Sequence, residues 1–357
     1  MTITISIGVL AYNESALISR TLCSLLQQSL FADDESRFEL EIVIVPNGCT
    51  DNTASVAHAT LQTLIEPSNN PYVSWKVCEL AQAGKSNAWN TYVHQLCSAK
   101  AKYLFLMDAD IEFLEQDTLL SMIDLLERTP DAWVSVDRPI KDVALKTNKT
   151  LMERLSILVS GLSGGKANEK GPAWLCGQLY CARAEVLKKL WLPTHLPTQD
   201  AFLYTMIVTN GLLTEKETHR ILLAKSASHR FEAYTQLARL LRHEKWLILG
   251  SAVNDLIYNN FLVEGIPPEG AGFLIKKRNE EDPDWLSKHV QAVVAERRWL
   301  IPPFILLRRL NSLRYQSPLK FILLLPLAVT AFLVDAFLAF QANLELHRGS
   351  NLGYWGK

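Results

Sequence analysis

The sequence predicts an α/β protein: a mostly parallel sheet sandwiched by helices, followed by a helical, membrane-associated C-terminal region. Near-continuous apolar runs alternate with amphipathic stretches over residues 3–138. Such runs are typical of strands that helices cover on both faces. The final third has a helical pattern and becomes steadily more apolar. A chain of 357 residues is long enough to give such a sheet a sizeable core.

The opening residues illustrate the pattern, because Ile3, Ile5, Ile7 and Val9 alternate with polar or small residues. A period of two predicts a strand rather than a secretory helix. Right-handed crossovers place the ends of parallel strands along one edge, where such folds bind ligands. The predicted strands are 3–10, 40–46, 73–79, 102–107 and 132–138, and the predicted helices are 15–30, 52–64, 85–98 and 117–128. Residues 140–230 are less regular and include a glycine-rich loop at 161–165.

Composition excludes several classes of protein. The chain has 36 Lys and Arg against 37 Asp and Glu, a net charge of -1, which argues against electrostatic binding of nucleic acid over the whole surface. An apolar content of 48% with 20% charged residues excludes a disordered chain. The six cysteines form no Cys-x-x-Cys pair, so reduced thiols in the cytosol are expected.

The C-terminal region carries a membrane signal. Residues 321–340 are apolar except for Pro326 and Asp335 and have the length of a bilayer crossing, about 20 residues. An aspartate near the centre of a lone helix costs roughly 2.5–3.5 kcal/mol on insertion. Residues 299–314 combine Trp, Phe and Leu with three arginines, as an interfacial helix does. We expect attachment to the cytoplasmic face of a membrane, either by a crossing or by a helix that lies in the interface. A buried core helix is the alternative.

The strongest local motif is Asp108-Ala109-Asp110, directly after the apolar run 103–107. Residues i and i+2 leaving a strand point the same way, so both carboxylates can face one site. Paired carboxylates suit Mg2+ or Mn2+, which bridges to substrate phosphates. The alternative is an ordinary loop in which an aspartate caps a helix.

Three further polar turns follow other predicted strands. The first strand ends in Ala11-Tyr12-Asn13-Glu14, and the second ends in a turn that contains Asn47. Gly84 and Lys85 open the helix after the third strand and offer phosphate a cation and backbone N–H groups. Each turn alone is ordinary helix-start chemistry. Four such turns at successive strand ends predict a nucleotide site.

Together these motifs resemble the inverting, nucleotide-sugar-dependent glycosyltransferases of family 2, which have the GT-A fold. The resemblance covers about residues 3–230 and implies transfer of a sugar from a nucleotide diphosphate sugar to an acceptor hydroxyl. It implies a catalytic domain at 1–230, a helical extension at 231–298 and a basic, membrane-associated segment at 299–357. The membrane segment favours a lipid-linked acceptor.

The resemblance also assigns donor-side roles. Asp110, helped by Asp108, would hold the metal, which acts as Lewis acid and template. Lys85 would lie near the base, ribose or phosphates. The residues that would line the nucleoside are Ala11, Tyr12, Glu14 and Asn47. His229 is a candidate third metal ligand, and a purely structural histidine is the alternative.

On the acceptor side, the segment that contains Gln199 and Asp200 resembles the position of the family's general base, so Asp200 is the expected base. Asp200 could instead complement the positive end of its helix. Trp174, Gly177 and Gln199 are the expected acceptor-binding residues, with a core or lid tryptophan as the alternative for Trp174. A basic set of residues is expected either to bind a phosphate or to form an ordinary solvated helix face. Its members are Arg239, Arg242 and His243.

One departure concerns the donor base. The family often has two acids where this chain has Pro46 and Asn47, so a UDP-sugar is favoured but not secured. The Asn47 amide can both donate to and accept from a base edge. A sugar-phosphate nucleotidylyltransferase is a rival, but it should carry an Arg-containing glycine loop after the first strand. A non-catalytic, membrane-anchored carbohydrate-binding protein is the other rival, and it would not need a base.

Overall fold

A computed structural model describes residues 2–32, 37–68, 70–150, 153, 157, 172–313 and 318–349. The glycine-rich loop at 161–165 and Arg314 lie outside the described residues. The strands are β1 (Ile3–Ala11), β2 (Phe38–Pro46), β3 (Val73–Val77), β4 (Tyr103–Asp108), β5 (Glu112–Phe113), β6 (Val134–Lys141), β7 (Leu179–Arg183) and β8 (Ile221–Phe231). The predicted α/β fold is therefore confirmed, with all five predicted strands present within a few residues of their expected bounds.

The described strands form one sheet in the order β3-β2-β1-β4-β7-β6-β8-β5. Strands β3, β2, β1 and β4 are parallel, as expected for strands joined by helical crossovers. Strand β7 runs antiparallel to both β4 and β6, and β6 is parallel to β8. The antiparallel insertion of β7 brings the start of that strand to the edge where β4 ends.

Twelve helices flank or follow the sheet in the described part of the chain. They are α1 (Ile18–Leu26), α2 (Thr53–Ile65), α3 (Lys85–Thr91), α4 (Thr118–Arg128), α5 (Asp142–Leu145), α6 (Ala184–Leu187), α7 (Gln199–Val208), α8 (Leu237–Glu264), α9 (Ala271–Glu281), α10 (Trp285–Glu296), α11 (Pro303–Ser312) and α12 (Pro318–Arg348). A π-helical turn, Tyr92–Leu96, continues α3. The four predicted helices correspond to α1–α4, and the helical pattern of the final third corresponds to α8–α12.

Two apolar clusters cover the two faces of the sheet. In β4, Phe105 packs with α1, α2 and α4, whereas Leu104 and Leu106 pack with α3, α7 and α8. This division follows from the strand period of two, which sends neighbouring side chains to opposite faces. Gly8 in β1 has no side chain because a Cβ there would lie 2.6 Å from the Tyr92 ring. The sheet is thus covered by helices on both sides.

The C-terminal helices extend the second of these clusters. Helix α12 is a single 31-residue helix that runs through Pro326 and packs against α8, α10 and α11. Its buried residues Leu338, Ala342 and Leu346 join Leu104 and Leu106 in the same apolar cluster. The stretch Phe321–Arg348 is long and apolar enough to cross a membrane, by length and composition alone.

Candidate active site

Sheet register brings the motif residues to one edge. Ala11 pairs with Pro46 and Leu10 pairs with Asp108, so the turns after β1, β2 and β4 lie side by side. The backbone N–H of Asp108 donates to the Gln178 carbonyl at 3.0 Å, which joins the end of β4 to the segment that precedes β7. The edge predicted from the sequence is therefore formed by parallel strands and completed by an antiparallel one.

Lys85 lies among the acidic side chains. Its Nζ is 2.5 Å from Asp108 Oδ1, and both side chains are largely buried. It also donates to the Gly177 carbonyl at 3.4 Å. Burial would lower the pKa of the Lys85 ammonium, but the charges of Asp108, Asp200 and Asp110 outweigh burial and raise that pKa. Four charged residues from three different loops therefore share one electrostatic site.

For the Asp108 carboxyl, burial outweighs the nearby positive charge. Burial raises the pKa of Asp108 to about 6, and the neighbouring charge of Asp110 adds to the rise, while Lys85 opposes it. The end of β4 thus presents two neighbouring carboxyl groups, Asp108 and Asp110, where a cation or a polyphosphate with its cation can bind.

Asp200 sits at the start of α7, directly against the loop before β7. A Cβ added to Gly177 would lie 2.1 Å from Asp200 Oδ1, so only glycine leaves room for this carboxylate. Burial raises the pKa of the neighbouring Cys176 thiol, and the negative charge of Asp200 raises that pKa further. Gly177 therefore lies against the predicted base.

The predicted nucleoside residues divide into two groups. Asn47 is 1% exposed; its Nδ2 donates to the Ala11 carbonyl at 2.7 Å, and its Oδ1 accepts from the Gly84 N–H at 3.0 Å. The amide therefore holds three strand ends together, and both of its ends are engaged by the protein backbone. The structure does not bring the Asn47 amide to an open position from which it could read a base.

The turn after β1 is held rigidly. Glu14 is buried, and its N–H donates to Thr53 Oγ1 at 2.8 Å while its carbonyl accepts from Leu17 and Ile18. The Tyr12 side chain is half-buried at this edge. Tyr12 thus lies in a hydrogen-bonded turn at the edge where β1 ends.

His229 is fully buried within β8. Its Nδ1 lies 2.6 Å from Asp137 Oδ2, and its Nε2 lies 3.3 Å from Gln178 Oε1. Both ring nitrogens thus have protein partners. Among the described residues, no group of three or more His, Cys, Asp or Glu side chains is arranged to hold a metal ion. The structure does not bring His229 to Asp108 and Asp110 as a ligand.

The expected acceptor residues also differ in their surroundings. Trp174 is 58% exposed and stacks on Tyr204, with ring centroids 4.2 Å apart. Gln199 is buried, and its Nε2 donates to Ser86 Oγ at 3.0 Å, which ties α7 to α3. An exposed aromatic face is thus available at Trp174, whereas the Gln199 amide is used within the protein.

The start of α8 reaches the same edge. His243 is half-buried next to Tyr234, with ring centroids 5.0 Å apart. Burial lowers the pKa of His243, and the charge of Asp200 opposes that shift, so the ring lies within reach of the field of Asp200. Burial raises the pKa of Tyr234, and the carboxylates of Asp110 and Asp108 raise it further.

Sequence reasoning missed Tyr234 and Asp137. Tyr234 is an aromatic residue three positions after the end of β8, and Tyr12 likewise follows the end of β1, by one position. Asp137 is the one acidic residue of the predicted strand 132–138. Neither signal is specific without the fold, since single acids and aromatic residues are common at strand ends.

A comparison with known families gives the decisive observation. The family described as "Glycosyl transferase family 2" matches residues 6–191, just over half of the chain. The chain belongs to glycosyltransferase family 2. The predicted family is therefore confirmed, and the protein is a glycosyltransferase with a GT-A fold. No curated protein sequence matches this glycosyltransferase significantly.

Two of the solved structures that match the glycosyltransferase share less than 20% of its residues. The mannosyltransferase PcManGT from Pyrobaculum calidifontis, solved in complex with GDP-Man and Mn2+, is 18% identical, with a TM-score of 0.55 over 97% of this chain and 87% of that chain. Glucosyl-3-phosphoglycerate synthase from Mycobacterium tuberculosis, solved with Mn2+, UDP and phosphoglyceric acid, is 17% identical, with a TM-score of 0.41 over 67% of this chain and 73% of that chain.

Proposed function

We propose that this enzyme is a metal-dependent, inverting glycosyltransferase that moves a sugar from a nucleotide diphosphate sugar, with UDP-sugars favoured, to a hydroxyl of a lipid-linked acceptor. The observation that carries the proposal is the shared electrostatic site of Lys85, Asp108, Asp110 and Asp200 at one sheet edge. A polyphosphate donor needs a cation there, and an acceptor needs a base beside it.

Asp108 and Asp110 fit a divalent cation. Carboxylate oxygens are the donors that Mg2+ and Mn2+ prefer, and Mg2+ in particular commonly binds through one or two carboxylates plus substrate phosphates and water. A bound cation would stabilise the negative charge that develops on the departing nucleotide diphosphate. Lys85 supplies a fixed positive charge beside these carboxylates and can bind a phosphate oxygen directly.

Asp200 is the proposed general base. Its carboxylate lies against Gly177 at the start of α7, and it accepts the proton of the acceptor hydroxyl as that oxygen attacks the sugar. The exposed face of Trp174 can stack on an acceptor sugar, since its ring is already held by Tyr204. Inversion follows when the base and the leaving diphosphate lie on opposite sides of the sugar.

The domain division and location remain part of this proposal. We assign catalysis to residues 1–230, a helical extension to 231–298 and membrane attachment to 299–357, on the cytoplasmic face. The supporting observation is the apolar stretch Phe321–Arg348. A lipid-linked acceptor would be concentrated at the surface where the enzyme sits.

The test is nucleotide release from a panel of UDP-, GDP-, CDP- and dTDP-sugars, with and without Mn2+ or Mg2+, using a sugar linked to polyprenyl diphosphate and a water-soluble sugar as alternative acceptors. GDP belongs in the panel because Pro46 has no side-chain hydrogen-bonding group and the Asn47 amide is engaged by Ala11 and Gly84. We expect turnover that EDTA abolishes and that Asp200→Asn reduces by about 10²–10⁴-fold.

Asp124→Asn is the matched control. Asp124 is an aspartate on α4 that forms ion pairs with Arg37 and Arg128 instead of belonging to the proposed site. It should leave turnover unchanged. Turnover that persists in EDTA would refute metal dependence, and full activity of Asp200→Asn would refute the base. Activity on the water-soluble sugar alone would refute a lipid-linked acceptor. No release from any donor would refute the proposed reaction.

A further inference from the structure

Helix α12 has two opposite faces. One face is buried against the protein and contains Ala328, Asp335, Ala339, Ala342 and Leu346. The other face is an exposed apolar stripe, which we call the outer stripe. The outer stripe consists of Ile322, Leu325, Val329, Leu333, Phe337, Phe340 and Leu344. These residues recur every three or four positions, so they lie on one side of the helix along about six turns.

The buried face is fixed by charge as well as by packing. Asp335 is 1% exposed and lies 2.8 Å from Arg309 and 3.1 Å from Arg308, both on α11. Both arginines also contact Glu244 of α8 at 2.7 Å. The aspartate that the sequence places in the middle of an apolar run is therefore paired with cations of the same protein.

This attachment leaves too little free helix for a crossing. Among the side chains described in α12, the first buried one is Ala328. The ten residues 318–327 span about 15 Å at 1.5 Å per residue, whereas a bilayer core is about 30 Å thick. A crossing would require α12 to leave α8 and α11, and Asp335 would then enter hydrocarbon without Arg308 and Arg309.

The surroundings of α12 suit a lipid surface. Asn343 donates to the Arg298 carbonyl at 3.0 Å and accepts from the Leu300 N–H at 2.8 Å, so the segment before α11 is held against α12. In that segment Arg297 and Arg298 are exposed, and Trp299 is 45% exposed. The acids of α12, Asp335 and Glu345, are both ion-paired. This segment therefore lies next to the C-terminal part of α12. Exposed basic residues and an exposed tryptophan match the anionic headgroup region of a membrane.

We propose that α12 lies flat in one leaflet, with its outer stripe in the acyl boundary and its Asp335 face on the protein, and that it does not cross the bilayer. This proposal deepens the membrane attachment of the proposed function and selects between its two forms. In this arrangement both chain termini lie on one side of the membrane.

The first test fuses green fluorescent protein or alkaline phosphatase to the C-terminus of the full chain in a bacterial host. If α12 lies flat, the green fluorescent protein fusion should fluoresce and the alkaline phosphatase fusion should be inactive, because both termini stay in the cytosol. A crossing at α12 predicts the reverse, and active phosphatase would overturn the proposal. Fusions at the N-terminus give the reference signal for a cytosolic terminus.

The second test is flotation of the purified full chain with vesicles of phosphatidylcholine alone or mixed with phosphatidylglycerol. We expect stronger binding to the anionic vesicles, and about tenfold or greater weakening by Leu333→Ser/Phe337→Ser, which changes two residues that are 62% and 60% exposed. Leu262→Ser/Val263→Ser on α8 is the matched control, because these apolar side chains are 65% and 87% exposed.

Unchanged flotation of the outer-stripe variant would overturn the proposal. The proposal would also be overturned if the chain did not bind vesicles and instead formed a dimer that the outer-stripe variant dissociates. The outer stripe would then contact a second copy. Neither test depends on turnover, so a failure here is distinguishable from a failure of the glycosyltransferase reaction. Thermal unfolding of each variant, which should match the parent, verifies that the exposed substitutions leave the fold intact.

Discussion

Gly177→Ala should disable catalysis by displacing the Asp200 carboxylate. The added Cβ would lie 2.1 Å from Oδ1 and 2.7 Å from Cγ of Asp200. Cβ atoms in proteins essentially never approach another heavy atom to less than 3.0 Å. The carboxylate must therefore move by about 1 Å. A displacement of that size at a reacting group costs about 100-fold in rate, or about 2.7 kcal/mol.

The assay compares kcat and the donor KM for wild type, Gly177→Ala, Asp200→Asn and the double variant. We expect kcat to fall about 100-fold in Gly177→Ala while the donor KM changes little, because the proposed binding site of the donor diphosphate is formed by Lys85, Asp108 and Asp110. If Gly177 acts only through Asp200, the double variant should be no slower than Asp200→Asn.

Two results would refute this reasoning. One is a folded Gly177→Ala enzyme whose kcat is within threefold of wild type, a change of about 0.65 kcal/mol in the activation free energy. Catalysis would then not require the Asp200 carboxylate in its present position. The other is a double variant that is slower than Asp200→Asn by the full factor of Gly177→Ala, because Gly177 would then act independently of the base.

Three further predictions concern other parts of the fold. Asp335→Ala removes the buried partner of two arginines and should lower the free energy of unfolding by about 3 kcal/mol, measured by denaturant titration in detergent. Burial lowers the pKa of His94 to about 4, so the neutral ring stabilises the fold at neutral pH, and this stability is lost as pH falls from about 6.5 to about 4. The melting temperature of His94→Phe, which cannot be protonated, should therefore fall less over that range. Trp174→Ala should raise the acceptor KM several-fold, about 0.5–1.5 kcal/mol, without changing the melting temperature, whereas Trp174→Phe should retain most acceptor binding.

Local pattern was sufficient for β1–β4 and β6, for α1–α4 and for the edge where the parallel strands end, whereas β5, β7 and β8 are not among the five predicted strands. Alternation in β1 and apolar runs in β2 and β4 are properties of neighbouring residues, so they could be predicted from the sequence. The same reasoning placed Asp108 and Asp110 at this edge, and the charges of both carboxylates act on Lys85; their common direction stays a prediction. Lys85 was also predicted at this edge, since a helix start follows each strand end.

Side-chain partners could not be predicted in this way. His229 pairs with Asp137, 92 residues away, and that pairing exists only because β6 and β8 are neighbours in the sheet. The Asn47 amide is engaged by Ala11 and Gly84 through the same kind of long-range contact. The sequence pattern leaves open which polar group a side chain meets.

Residue types at short, fixed spacings were thus enough to predict the family, five strands of the sheet and the acidic motif. How those residues are used depends on the fold: Gly177 makes room for Asp200, and Asp335 faces Arg308 and Arg309 instead of lipid. Burial and charge pairing could not be predicted locally, because they depend on elements brought together from distant parts of the chain. An aspartate in an apolar run costs free energy in a lone helix and is stabilised once two guanidinium groups pack beside it.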